Sequence, residues 1–329
     1  RKALQDIESY CTLQFSRQHR TSILFLCVFG RYVRFIRIDR SGAVVSEATN
    51  YIENPRILAQ FFWKYSHLSS VERGFDPTVV PASVEECQLL TRAVRQYMRA
   101  VDEQTARFHP SMECTLANDY PIYKATVPNC DTGEDHHYLI QKPCSESKYV
   151  LGRATRGYIA LALNDTARHK TISGVEPPAH PNRLVFLKDY WRKYPTDMQK
   201  EAEVYKDLED LHVPHLPQLF GGGDVMTSDA YLQSTQSPNP LDRYAHHRLV
   251  QQLGFPLKSA KDAKELVQVI RDALEGLISA WVRGRRLHRD ISYNNILLNP
   301  DACGGPVRGL LNDWDISLDV PAARAKIPK

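Results

Sequence analysis

Leu287-His288-Arg289-Asp290-Ile291-Ser292-Tyr293-Asn294-Asn295-Ile296-Leu297-Leu298 is a polar loop that carries a carboxylate, then an amide five residues later, and runs into an apolar β-prone segment. Upstream, Leu266, Val269, Ile270, Ala273, Leu277, Ile278 and Trp281 recur at spacings of three and four. That period predicts a long amphipathic helix with these residues as its buried stripe and Gly284 as its stop, a rigid floor for the loop. Downstream, Leu310-Leu311-Asn312-Asp313-Trp314-Asp315 sets an acidic residue directly after a second apolar run. If 296–298 and 309–311 form an antiparallel hairpin, Asn295 at the start of one strand comes beside Asp313 at the end of the other. Two oxygen ligands then face one hard cation.

Two signals lie further upstream. Leu151-Gly152-Arg153-Ala154-Thr155-Arg156-Gly157-Tyr158-Ile159 reads as G-x-A-x-x-G-x-I. Glycines let backbone amides approach an anion closely, and Ala154 in the middle makes that approach poorer. Leu184-Val185-Phe186-Leu187-Lys188 is an apolar strand ending in a lysine. In the helix expected after it, Thr196 and Gln199 predict a capping box, and Glu201, Val204, Tyr205, Leu208 and Leu211 share one face. Glu201 is therefore the inward carboxylate and the expected ion-pair partner of Lys188, while Glu203 points elsewhere.

The chain as a whole has 329 residues, 43% hydrophobic and 24% charged, which fits a globular protein of two units rather than a disordered or fibrous one. Lys plus Arg outnumber Asp plus Glu by 42 to 38, too mild an excess to predict a nucleic-acid or membrane-surface partner. The densest basic group, Arg283, Arg285, Arg286 and Arg289, follows the predicted helix and favours its negative end. The seven cysteines, at 11, 27, 87, 114, 130, 144 and 303, contain no CxxC pair. Neither a zinc ribbon nor a secreted disulfide framework is signalled, and an intracellular location, cytoplasm or nucleus, is expected. The set Cys130, His136, His137 and Cys144 matches no standard metal spacing. No apolar run approaches the roughly 18 residues of a membrane span.

Near the start, apolar runs at 22–29, 32–38 and 43–46, punctuated by Gly30 and by 39–42, predict a three-stranded antiparallel meander. Leu89, Leu90, Val94 and Tyr97 predict a helix over 84–97. Residues 164–182 form a polar, Pro-rich insertion, and the chain carries no internal repeat.

With these residues in order, the chain resembles the fungal-type protein kinase family, a divergent protein-kinase-like group. The likeness covers nearly the whole chain through Asp39-Arg40-Ser41-Gly42, Gly74-Phe75-Asp76-Pro77, Gly152-Arg153-Ala154-Thr155-Arg156-Gly157, Leu187-Lys188-Asp189-Tyr190-Trp191-Arg192, Glu201-Ala202-Glu203-Val204-Tyr205 and Leu287-His288-Arg289-Asp290-Ile291-Ser292. Residues 288–295 are similar to the H-R-D-x-x-x-x-N catalytic loop, 313–315 to the D-F-G element, 152–157 to the glycine-rich loop and 184–188 to the lysine strand.

The resemblance implies an α+β, bilobal kinase fold: an N-terminal α+β extension over 1–110, a small lobe over 111–252, a hinge near 252–256, and over 253–329 the first part of a large lobe cut short at Lys329. It implies ATP and magnesium as cofactors and a protein Ser or Thr hydroxyl as acceptor, the protein substrate being unidentified. Asp290 is then the catalytic residue that accepts or orients the hydroxyl proton, with Asn295 and Asp313 as metal ligands. Lys188, paired with Glu201, contacts the nucleotide phosphates beneath Gly152, Ala154 and Gly157.

There are departures. Ser292 replaces a phosphate-contacting lysine, Asp315 replaces a flexible glycine, and no A-P-E element follows. The first two imply weaker γ-phosphate handling. The third implies that the activation segment is missing, an expectation under which this length of chain can be inactive by itself while a longer parent is active. A small-molecule phosphotransferase of the aminoglycoside or choline kinase type shares the D-W-acidic pattern, but Arg289 favours a protein kinase. A pseudokinase binding module is favoured by Ala154 and Ser292 and disfavoured by intact Lys188, Asp290, Asn295 and Asp313.

Overall fold

The computed structural model describes residues 2–100, 106–128, 133–163, 184–227, 230–300 and 305–321. The Pro-rich insertion expected at 164–182, and Cys130 and Cys303, lie outside these. Helix α1 (Lys2–Arg17) leads into a four-stranded antiparallel sheet of β1 (Ser22–Phe29), β2 (Tyr32–Asp39), β3 (Gly42–Val45) and β4 (Thr49–Asn50). Gly30 takes φ +58° in the turn that sets Phe29 opposite Tyr32, a conformation that costs a residue without Cβ little. The expected meander is present, and β4 adds a short strand that pairs with the start of β2.

After α2 (Arg56–His67) the chain enters a second, larger sheet through β5 (Val79–Pro81), α3 (Val84–Ala100), α4 (His109–Glu113), β6 (Tyr123–Pro128), β7 (Asp135–Ile140), β8 (Ser145–Glu146), β9 (Arg156–Ala162), β10 (Leu184–Lys193), α5 (Glu201–Asp210), β11 (Leu219–Asp224) and β12 (Tyr244–Gln251). Its order is β11-β12-β10-β9-β7-β6-β5, with β8 attached to β9 and all pairs antiparallel. The sheet curls until β6 lies across β11 and β12. One face closes over Val127, Tyr138, Tyr158, Leu187 and Val250. The other receives α3, α5 and the final helix around Leu139, Leu161, Leu208, Leu249 and Val269. The central strands β9 and β10, covered on both faces, are almost entirely buried.

The remaining elements are β13 (Phe255–Pro256), α6 (Ala263–Gly284), β14 (Arg286–Leu287), β15 (Ile296–Asn299), β16 (Arg308–Leu311) and β17 (Leu318–Asp319). The described residues thus form six α-helices and antiparallel sheets, an α+β arrangement. Among them, no helix is long and apolar enough to cross a membrane.

Helix α6 begins at Asp262, whose carboxylate accepts the Glu265 amide at 2.8 Å. Its buried stripe differs from the predicted one. Val269, Asp272, Ala273, Gly276 and Ala280 face inward, Leu266, Ile270 and Leu277 flank them, and Ile278 (61% exposed) and Trp281 (38% exposed) point out. Small residues explain the rotation, because a Cβ on Gly276 would lie 2.9 Å from the Pro214 carbonyl oxygen. Asp272 goes inside because it accepts the backbone amide of Gly309 at 2.9 Å. Gly284 remains helical and Arg285 takes the left-handed terminating position, φ +50°, so the glycine is not the stop. Its role is spatial: a Cβ there would meet Leu211 at 2.8 Å.

The arginine cluster also differs from expectation. Arg283 donates to the carbonyls of Leu211 and His212, capping the end of α5 rather than of α6, and Arg286 is buried against Gln199 and Ser317.

Candidate active site around Lys188

Lys188 lies mid-sheet, paired with Gly157 of β9 and Leu249 of β12. Strand alternation puts it on the face that receives α5. There its Nζ meets Glu201 Oε2 at 2.8 Å and Asp313 Oδ1 at 2.5 Å, with Asp315 Oδ2 at 3.9 Å. Only 6% of Lys188 and 1% of Glu201 is exposed, so removing either partner would strand the other's charge in the interior. The expected pair is formed. On α5, Val204, Tyr205 and Leu208 are buried beside Glu201 as the helical period required, whereas Leu211 ends up exposed at the C-cap. The capping box predicted from Thr196 and Gln199 is absent: α5 starts at Glu201, and Glu203 reaches back to the Lys200 amide at 3.2 Å. Thr196 instead accepts from the Met198 amide in the preceding turn.

The hairpin of β15 and β16 has the register Ile296↔Leu311, which brings Asn295 level with Asn312. The Asn312 amide donates to the Asn295 carbonyl at 2.8 Å, so Asp313 follows directly beside the loop. Asn295 Nδ2 donates to the Asp290 carbonyl at 2.9 Å and to its carboxylate at 3.2 Å, which leaves the amide oxygen for another partner. Asp290 is exposed and Asn295 buried.

Beneath the loop, His288 sits 4.5 Å edge-on to Trp314, which is wholly buried and donates to the Leu311 carbonyl. Burial holds the His288 imidazole below its ordinary pKa, against the pull of the Asn312 carbonyl and Asp313. The neutral ring fits its two contacts, Nε2 donating to the Asn312 carbonyl at 2.9 Å and Nδ1 accepting the Asp290 amide at 3.3 Å.

Asp313 adopts φ +66°. Its amide donates to the Tyr205 hydroxyl at 3.1 Å, and that hydroxyl donates to Asn312 Oδ1 at 2.7 Å, an oxygen that also accepts Gln251 Nε2 at 2.6 Å. Asn312 thereby ties α5, β12 and the 288–295 loop together. Burial alone would raise the Asp313 carboxyl, but Lys188, then Arg153, hold it below the usual carboxylate range.

The glycine-bearing turn joins β8 to β9, with Ser145 opposite Gly157. Gly157 has no space for a side chain, since a Cβ would lie 2.5 Å from Ser145 Oγ and 2.6 Å from the Phe186 ring. Gly152 takes φ +80° and Ala154 φ +42°, so the alanine occupies a conformation that glycine holds with less strain. Between them Arg153 ion-pairs with Asp315 and its carbonyl accepts the Trp191 amide at 2.8 Å. The turn is thus fastened both to β10 and to the residue that stands where a flexible glycine was expected.

Arg153, Asp315, Tyr205 and Gln251 are the site residues that sequence reading did not assign. The sequence pattern marks Asp315 only as a departure, though a carboxylate there calls for a cation. Helical spacing places Tyr205 on the buried face, and nothing in the sequence indicates the target of its hydroxyl.

Glu201, Asp313 and Asp315 bring carboxylate oxygens within 4.8 Å of one another, so the acidic set is larger than the expected pair of Asn295 and Asp313. An all-oxygen donor set of this kind suits magnesium. Among the described residues this is the acidic and metal-ligating grouping of that size, and Cys144, His136 and His137 form no part of it.

A family model described as fungal protein kinase matches the chain over residues 1–237 and 227–327. No curated protein matches it.

Proposed function

The chain belongs to the fungal protein kinase family, and from that premise we propose that it is an ATP- and magnesium-dependent phosphotransferase acting on Ser or Thr hydroxyls of a protein substrate. The observation that carries this reading is the meeting of Lys188, Glu201 and Asp313, from a strand, the next helix and a hairpin end 125 residues away, at 2.8 and 2.5 Å. Such a lysine binds and orients nucleotide phosphates, and its carboxylate partner fixes its position. Asp290, exposed and steadied by Asn295, takes or orients the proton of the incoming hydroxyl. Asn295 and Asp313, with Asp315 beside them, would hold magnesium, which neutralises phosphate charge when bound. The turn at 152–157 lies over this site, and the small-lobe and large-lobe divisions at 111–252 and 253–329, meeting near 252–256, are part of the same proposal.

The test is transfer of labelled phosphate from ATP to a panel of proteins and peptides, with magnesium or with EDTA, beside calorimetric ATP binding. Metal-dependent labelling of Ser or Thr is expected, lost in Lys188→Ala. Labelling of aminoglycosides or choline alone would replace the protein acceptor with a small one. Nucleotide binding indifferent to metal, with no transfer to any acceptor, would replace the enzyme with a binding module.

A further inference from the structure

Between helix α1 and the turn that follows β8 lies a cavity of about 260 Å³, on the sheet face opposite Lys188. Its walls include Arg40 and Arg156, which are 3% and 6% exposed. Arg40 lies over the Phe15 ring at 3.9 Å and donates Nη1 to the Val150 carbonyl at 2.8 Å, while Arg156 donates Nη1 to the Phe15 carbonyl at 3.3 Å. The Nε of each is buried without a partner, and among the described residues neither guanidinium forms an ion pair. Glu146 stands at the rim, exposed, and burial shifts its carboxyl upward despite both arginines. Burial would lower the Arg156 guanidinium, but Tyr158, Asp189 and Glu146 hold it above its ordinary value, whereas the same groups fall short at Arg40, and a buried cation in that position is costly unless an anion meets it. Burial first, then the charge of Arg156, lowers the Arg40 guanidinium to about 9 against the opposing pull of Asp189 and Glu146.

We propose that this cavity is a binding site for a small phosphate-type anion, inorganic phosphate or a phosphomonoester, gripped by Arg40 and Arg156. Guanidinium groups suit such oxygens because their N–H bonds form planar, paired contacts. The site is coupled to the glycine-bearing turn: Ala154 lines it, the Arg40 carbonyl accepts the Gly152 amide at 2.7 Å, and the Arg40 side chain holds Val150. An occupant that orders Arg40 therefore stiffens the turn that covers Lys188.

The test is thermal unfolding in sodium phosphate against sodium chloride of equal ionic strength, without nucleotide, so that its result is independent of the kinase assignment. Phosphate at ten times its Kd should raise Tm by about 2 °C. Arg40→Met should abolish the shift. If Arg40→Met does not fold, Thr12→Glu decides the matter: Thr12 is exposed and lines the cavity, so its glutamate should raise Tm in chloride and remove the response to phosphate. A wild-type protein that responds alike to phosphate and chloride, or a Thr12→Glu protein that responds like wild type, would overturn the proposal.

Discussion

The two faces of β10 put the same kinds of charged side chain to opposite uses. On one face, Arg248 of β12 is wholly buried and engages all three of its nitrogens. It contacts Asp76 at 2.7 Å, Asp189 at 3.4 Å, and Thr78 Oγ1 and the Thr126 carbonyl at 2.7 Å each. His246 stacks on Trp191, bonds Asp189 at 2.5 Å and meets Gln233, which returns to Asp76 at 3.0 Å. Burial would raise both carboxyls, yet Arg248 and His246 hold them well below the ordinary range. One residue along, on the other face, a single ammonium serves Glu201, Asp313 and, more distantly, Asp315. That side keeps surplus negative charge and an exposed Asp290. A closed network fastens the 74–77 segment to the central sheet, whereas the open one leaves negative charge that the described side chains do not balance.

The largest expected effect falls on the open face. Asp290→Asn should lower phosphate transfer by about 10²- to 10⁴-fold, the usual contribution of a positioned acid or base, and leave Tm unchanged. Stopped assays with labelled ATP, beside a melting curve, measure both. A variant that loses stability in step with activity would mean that the two faces do not divide their roles.

On the closed face, Arg248→Met strands two buried carboxylates and should cost about 3 to 5 kcal/mol in urea unfolding. ATP affinity of the protein that stays folded should be retained, because Lys188, Glu201 and Asp313 keep their contacts. A large loss of affinity would show that the buried network also sets the site.

Acid should weaken the closed face through His19, which packs against Tyr123 and Tyr158. Burial chiefly, then Arg156, lowers this imidazole to about 3. Its ordinary value is about 6.5, so between these limits only the unfolded chain takes up the proton. Stability is then complete above about pH 6.5 and falls as pH drops below it, by about 1 kcal/mol between pH 7 and 5.5 for this group. His247 and His288, also lowered by burial, act in the same direction. Urea unfolding at both pH values should therefore show His19→Gln losing about 1 kcal/mol less than wild type; equal losses would remove His19 from the account.

The smallest effect concerns the cover of the open face. Arg153 is partly exposed, so Asp315→Asn should cost under about 1 kcal/mol. Amide exchange over 147–155 should nonetheless quicken, since one fastening of the turn is lost. Unchanged exchange would mean that the backbone bonds to Arg40 and Trp191 hold the turn alone.

The sequence by itself determined what one segment's periodicity and chemistry dictate. Two apolar runs close in the chain imply the hairpin that brings Asn295 beside Asp313, and helical spacing turns Glu201 inward to Lys188. The glycine of the cover, Gly157, and the meander at the start were legible for the same reason: turns and strand faces are local matters. Tertiary structure decided the pairings that a period does not encode. The curl of the large sheet chose Asp76 for Arg248, 172 residues away, and the closing of the turn chose Arg153 for Asp315. Helix α6 rolled off its most apolar stripe because Gly276 and Ala280 permit a closer approach than Ile278 and Trp281 do. Apolar residues say that a face prefers burial, but shape and a buried carboxylate's need for a donor decide which face achieves it.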